Sequence, residues 1–210
     1  MISDVKKHQI LQGAARIFFE SGFSTGMDRV ISDCGVAKMT VYMHFKTKNG
    51  LICAILDEIQ AFLENHIRVE IALNAKPPRA QLEAASLILC NGMSDQEMRA
   101  GLAVRALISF PNPRNAVHER ARQLDLTILR WFEQLCAEAL LPDAERVART
   151  ILHIAKGCFL MAPTIGVEAS QATALSLLSS VLAPAEIAPP RRLGIRRSNG
   201  HSPSLPGSRL

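Results

Sequence analysis

Apolar residues recur along this chain at intervals of three and four, and seldom in strict alternation. That is the period of a helix with one buried face. In DVKKHQILQGAARIFFESG, residues 4–22, Ile10, Ala14, Ile17 and Phe18 share a face, with Ser3 placed to cap the helix and Gly22 to stop it. A short second helix is expected over MDRVISDCG, with Thr25 as its cap and Asp28 in its first turn, where negative charge suits the dipole. Gly35 supplies a left-handed turn residue, a third short helix follows at about 37–45, and Thr47 caps a longer fourth running to about 73. Lys76-Pro77-Pro78-Arg79 breaks that helix. Five more are expected at 79–91, 96–109, 115–140, 144–161 and 168–182, with Phe110-Pro111-Asn112-Pro113 as the turn before the long one. The fold class is therefore all-α.

Composition supports this pattern, because a chain that is 48% hydrophobic but only 5% aromatic, and rich in Ala and Leu, favours helix over sheet. From residue 184 the character changes: PAEIAPPRRLGIRRSNGHSPSLPGSRL has the Pro, Gly, Ser and Arg of a disordered basic tail. Three segments follow: a head at 4–64, a body at 65–183 and the tail at 184–210. The longest apolar stretch, 151–167, is interrupted by His153, Lys156 and Pro163 and falls short of the roughly 20 residues of a membrane span. Residues 1–19 lack a continuous signal-peptide core, so a cytoplasmic location is expected. Cys34, Cys53, Cys90, Cys136 and Cys158 form no C-x-x-C pair and accompany no His cluster, which argues against a metal site and for small buried hydrophobes.

Charge divides unevenly. Residues 1–50 carry seven Lys/Arg against four Asp/Glu, residues 51–183 twelve against fourteen, and residues 184–210 five against one. Basic ends on a near-neutral body suit a nucleic-acid contact confined to one end. The stretch 25–46, TGMDRVISDCGVAKMTVYMHFK, provides the means: two short helices joined by a tight Gly turn, a helix-turn-helix. In such a pair the second helix lies in the major groove. Val30, Val36 and Val41 are spaced to bury the inner faces. Lys38, Thr40, Tyr42 and His44 remain outside for phosphate and base contacts, and Lys48 adds a positive group at the start of the fourth helix.

From Ile10 to Leu56 the chain closely resembles the DNA-binding head of the TetR family. The features that carry the resemblance are Ala14-Ala15 with Phe18, Gly22-Phe23, Thr25 with Met27-Asp28, Gly35-Val36, Lys38 with Thr40, Tyr42 with His44-Phe45, and Lys48. The resemblance implies a transcriptional regulator, in this family most often a repressor. It implies that Thr25, Lys38, Thr40, Tyr42, His44 and Lys48 approach the DNA backbone, while residues 37–43, Ala37 and Met39 among them, read bases. Four positions depart from the family pattern: Ile31 and Cys34 replace usual Ala residues, Ala37 a usual Ser, and Met39 a usual small residue. Ile31 would set the two helices slightly apart, and Ala37 forgoes a hydroxyl that could cap the recognition helix.

The resemblance is weaker in the body, where SFPNPRNAVHERARQLDLTILRWFEQL is similar to the turn and long helix of one broad branch of the family. It implies a small, mostly apolar effector held by the body, a homodimer formed by the last two helices, and a palindromic duplex operator. The apolar stripe Val147, Ile151, Ile154, Ala155, Cys158, Phe159 and the run Ala172, Leu175, Leu178, Leu182 are wide enough for pairing, or for completing the subunit's own core. Phe62, His66, Phe110 and Trp131 could line a pocket or pack in the core. No Gly-rich phosphate loop, paired acid and base or metal-ligand spacing points to an enzyme, and no cofactor is expected. The rival readings are a redox regulator switching through Cys34 or Cys158, and a tail that makes the main DNA contact.

Overall fold

The computed structural model describes residues 2–74, 77–94 and 101–183. The expected basic tail lies outside the described residues, as does the start of the helix expected at 96. Among the described residues the regular structure is helical: α1 (Ile2–Ser21), α2 (Met27–Cys34), α3 (Lys38–His44), α4 (Lys48–Asn74), α5 (Pro78–Ser94), α6 (Gly101–Ser109), α7 (Ala116–Glu138), α8 (Ala144–Ile165) and α9 (Val167–Leu182). The all-α class and the order of head and bundle agree with the sequence pattern.

The helix ends show where local chemistry took a different course. Helix α1 already runs at Ile2, so Ser3 lies within it rather than before it. The N-cap of α2 is Gly26, without a side-chain bond, while Thr25 is buried at 9% exposure and does not cap. Thr47 does cap α4, its hydroxyl accepting from the Gly50 N–H at 3.0 Å. Asn115 caps α7 by accepting from the Val117 N–H, and Asp143 caps α8 by accepting from the Arg146 N–H. Helix α8 passes its expected end at 161 and takes Pro163 into its last turns before Gly166 ends it.

The head packs α1 against α2, α3 and α4. Ile10, Ala14, Phe18, Val30, Val41, Leu51 and Ile52 have no exposed surface, and together they fix α3 against the other helices. Ile31 is accommodated in this core at 8% exposure. The Cys34 sulfur lies against α1 and donates to the Ile10 carbonyl at 3.7 Å. The expected boundary at 64/65 falls inside α4, which packs on α1 at one end and on α5 and α7 further along. The body is a bundle in which α7 and α5 flank α8, and α9 folds back along α8.

A second joint between head and body comes from α6. Arg105 donates from Nη1 to the Phe19 carbonyl in the last turn of α1 at 2.6 Å. Its guanidinium lies 5.4 Å from the Phe19 ring and 5.6 Å from the Phe159 ring of α8. One planar cation thus caps a helix end and sits beside two aromatic rings.

Candidate nucleic-acid interface

Two glycines shape the head at its turns. Gly22 and Gly35 adopt φ of +79° and +63°, a region that penalises side chains with a Cβ, and they end α1 and α2. Beyond Gly35 the chain reverses into α3, whose inner side buries Val41 completely, while Val36 before it is half-buried against the core. The outer side of α3 faces solvent, with Met39 at 76%, Met43 at 77% and Tyr42 at 39% exposure. Thr40 and His44 are half-buried at its edges. Ala37 is the N-cap of α3 and makes no side-chain cap bond, as its methyl side chain requires.

The two lysines are held differently. Lys38 is exposed, and its ammonium donates to Asp28 Oδ1 of α2 at 2.8 Å. That hydrogen bond, together with the Asp28 charge, pushes its pKa up. Lys48 turns inward: its ammonium donates to the Phe23 carbonyl and lies 5.9 Å over the Phe18 ring. Burial pulls its pKa down. A phosphate approaching Lys38 therefore competes with a carboxylate, and one approaching Lys48 competes with a carbonyl. The backbone N–H of Thr25 donates to the Gly22 carbonyl at 3.3 Å, and its burial leaves little side chain facing outward.

The four residues named for a pocket are not brought together. Phe62 and His66 stack on α4 with ring centroids 5.5 Å apart, both exposed. Trp131 of α7 lines a separate cavity of about 130 Å³ with Ile67, Arg68, Gln134 and Leu135. Phe110 lies at the other end of the body, its ring 5.6 Å from Phe23 of the head and its carbonyl hydrogen-bonded to His118 Nδ1 at 2.8 Å. The cysteines are free, and burial raises the thiols of Cys34 and Cys53, pushes Cys90 up to about 12 and Cys136 to about 11. Among the described residues no group of three or more His, Cys, Asp or Glu could hold a metal ion, and no helix is long and apolar enough to cross a membrane.

Sequence reasoning put Met43 in the base-reading stretch without pairing it with Met39, and left out Asp28 and Arg105. Met43 stands four positions after Met39, and that spacing could have revealed a shared outer face. Asp28 signals a favourable dipole contact in the sequence, but not its pairing with Lys38. Arg105 carried no signal, because its two partners lie about 86 and 54 positions away in the chain.

A small head whose second short helix is presented outward, carried on a helical bundle, has the architecture of a helix-turn-helix head on a helical body. Residues 10–55 match the family of bacterial regulatory proteins of tetR type. The match is confined to the head, which is thus similar to a TetR-type DNA-binding domain. Over 80 residues it is 31% identical to YerO of Bacillus subtilis, described as an uncharacterized HTH-type transcriptional regulator. That match covers 37% of this chain and 28% of the relative's length. Solved structures extend the likeness in fold through the body. A TetR-family regulator from Streptomyces coelicolor superposes with a TM-score of 0.74 at 23% identity, covering 84% of this chain and 94% of the other. A second, from Cytophaga hutchinsonii, gives 0.73 at 14% identity over 90% and 98% of the two chains.

Proposed function

We propose that the chain is a sequence-specific, DNA-binding transcriptional regulator, working in the cytoplasm as a homodimer and released from its operator by a small, mostly apolar effector. The observation that carries this reading is the outward face of α3, fixed by the fully buried Val30 and Val41 and edged by Thr40, Tyr42 and His44. A rigidly held short helix with such a face suits the major groove. In this reading residues 4–64 are the DNA-reading head and 65–183 the sensing and pairing body. Tyr42, His44 and Thr40 meet the DNA from the outer side of α3, with Ala37 and Met39 toward the bases. Lys38 and Lys48 join them by exchanging Asp28 and the Phe23 carbonyl for phosphates, while Thr25, buried in the turn before α2, is the least accessible of the named residues.

Pairing through α8 and α9 is supported by an apolar groove on their outer side, lined by Ile154, Met161, Ile165, Ala174 and Leu177. Met161, Ile165 and Leu177 of that groove, with Leu160 and Val167 on the same two helices, are 45–50% exposed, apolar surface of the kind that marks an interface. For effector control, α4 is the natural lever. Its Lys48 end touches the head, and Phe62, His66 and the Trp131 cavity lie along its far half. Arg120 of α7 ties to it through an ion pair with Asp57 and a 2.8 Å bond to Gln60. An effector that binds the released spacing of the heads about 2.7 kcal/mol better than the bound one frees DNA about a hundredfold. Burial raises the Cys34 thiol and leaves less of the reactive thiolate, which weighs against a switch at that residue.

The test is fluorescence anisotropy with the duplex upstream of the chain's own gene against a scrambled duplex at physiological salt. Preference of about a thousandfold, lost in Tyr42→Ala, is the expected result. Equal, strongly salt-dependent binding to both contradicts specific recognition of that duplex.

A further inference from the structure

The outer face of α3 is unusual in being apolar where a groove-reading helix is expected to offer hydrogen bonds. Met39 and Met43 stand four residues apart, on one face, at 76% and 77% exposure. The side chain of Met has no donor and only a weak acceptor in its sulfur, so it gains little from the donor and acceptor pattern of base edges. The major groove carries one apolar group, the C5-methyl of thymine. The flexible thioether adapts to such a small protrusion. Nothing in the head covers these two side chains, whereas Val41 on the opposite face is completely buried. Their surroundings are polar: exposed Lys38, ion-paired with Asp28, adjoins Met39, and His44 and the exposed Lys46 follow Met43. The face is thus apolar at its centre with polar groups at its edges, a complement to a methyl-bearing groove floor between two phosphate backbones.

On the reading that α3 enters the major groove, we propose that Met39 and Met43 are specificity-determining residues that read thymine methyl groups, so that each operator half-site carries T·A pairs at two positions. Four residues of helix rise by about 6 Å. Successive base pairs lie about 3.4 Å apart, so the two thymines are separated by about two steps. Hydrogen-bonding residues at the ends of α3 then fix register, while the two methionines select the bases between them.

The test uses the full chain and a pool of randomised duplexes. Selection is expected to enrich a sequence with such paired T·A positions. Uracil is then substituted for each thymine in turn, which removes the methyl and leaves every hydrogen-bonding group in place. Wild-type binding is expected to weaken about fourfold at each of the two positions, the effect of one buried methylene-sized group, and to be unchanged at thymines elsewhere. Met39→Ala is expected to abolish the response at one position and Met43→Ala at the other. Both positions are solvent-exposed, so the variants should keep the wild-type circular dichroism and melting temperature. An enriched duplex that binds equally with uracil, or Ala variants as uracil-sensitive as wild type, overturns the assignment while leaving DNA binding intact. A pool from which nothing is enriched overturns the DNA-binding reading and this inference with it.

Discussion

Cys34 shows how one residue is legible in type and not in consequence. Its position on the inner face of the second helix marked it as a buried hydrophobe, and it is buried at 7% exposure. The sequence holds no hint that its sulfur presses against Gly13 on α1, where a Cβ on residue 13 would come within 2.7 Å of it. The glycine and the larger residue therefore fit each other. Gly13→Ala alone is expected to destabilise the head, because the overlap outweighs the gain in helix propensity of roughly 0.5–1 kcal/mol. In a Cys34→Ala background, the same change is expected to stabilise by about that amount. Urea titrations of the four proteins check this: a Gly13→Ala effect of the same sign in both backgrounds contradicts the packing account. Leu140 illustrates the opposite case. The apolar run carried the expected long helix to residue 140, but α7 ends at Glu138 and Leu140 turns out at φ 55°, 88% exposed. Its N–H bonds to Ala137 and that of Leu141 to Cys136, the paired bonds of a helix stop that usually carries glycine. With leucine in that position, the sequence lacked the usual mark of the end.

At the scale of elements, the pattern of apolar positions located the helices because their order is set by local period and by breakers such as Gly35 and Pro77. What joins them was not legible, since it depends on residues distant in the chain. Arg105 on α6 is the main case, bonding the end of α1 while lying beside Phe19 and Phe159. Arg105→Met keeps much of the stem but loses the bond and the cation beside both rings. It is expected to cost about 2 kcal/mol in chemical denaturation, and a change below a few tenths contradicts the bridging role. The α7–α8 contact holds a second such joint, the pair Asp125–Lys156, with side chains only 13% and 25% exposed. Burial raises the Asp125 carboxyl despite its lysine partner. Its folded value then lies above the unfolded one, so this group favours folding as pH falls into the carboxylate range and works against it above. A desolvated pair of this kind adds little net stability to the bundle.

For the whole molecule, a helical head on a helical bundle was legible from the apolar pattern and the head's residues, while the geometry of the body was not. The head presents Tyr42, Met39 and Met43 outward because Val30 and Val41 hold α3 from within. The body did not gather Phe62, His66, Phe110 and Trp131 into one cavity, since aromatic residues far apart in sequence give no signal of whether their faces meet. Its apolar α8–α9 face supports a two-fold pair of heads. Hydroxyl-radical footprinting of the full chain on the duplex it selects tests that central claim most directly. Two protected patches on one face of the DNA, related by two-fold symmetry and about 34–36 Å or a multiple of that apart, are the result this account predicts. A single patch, or protection spread evenly along the duplex, contradicts it.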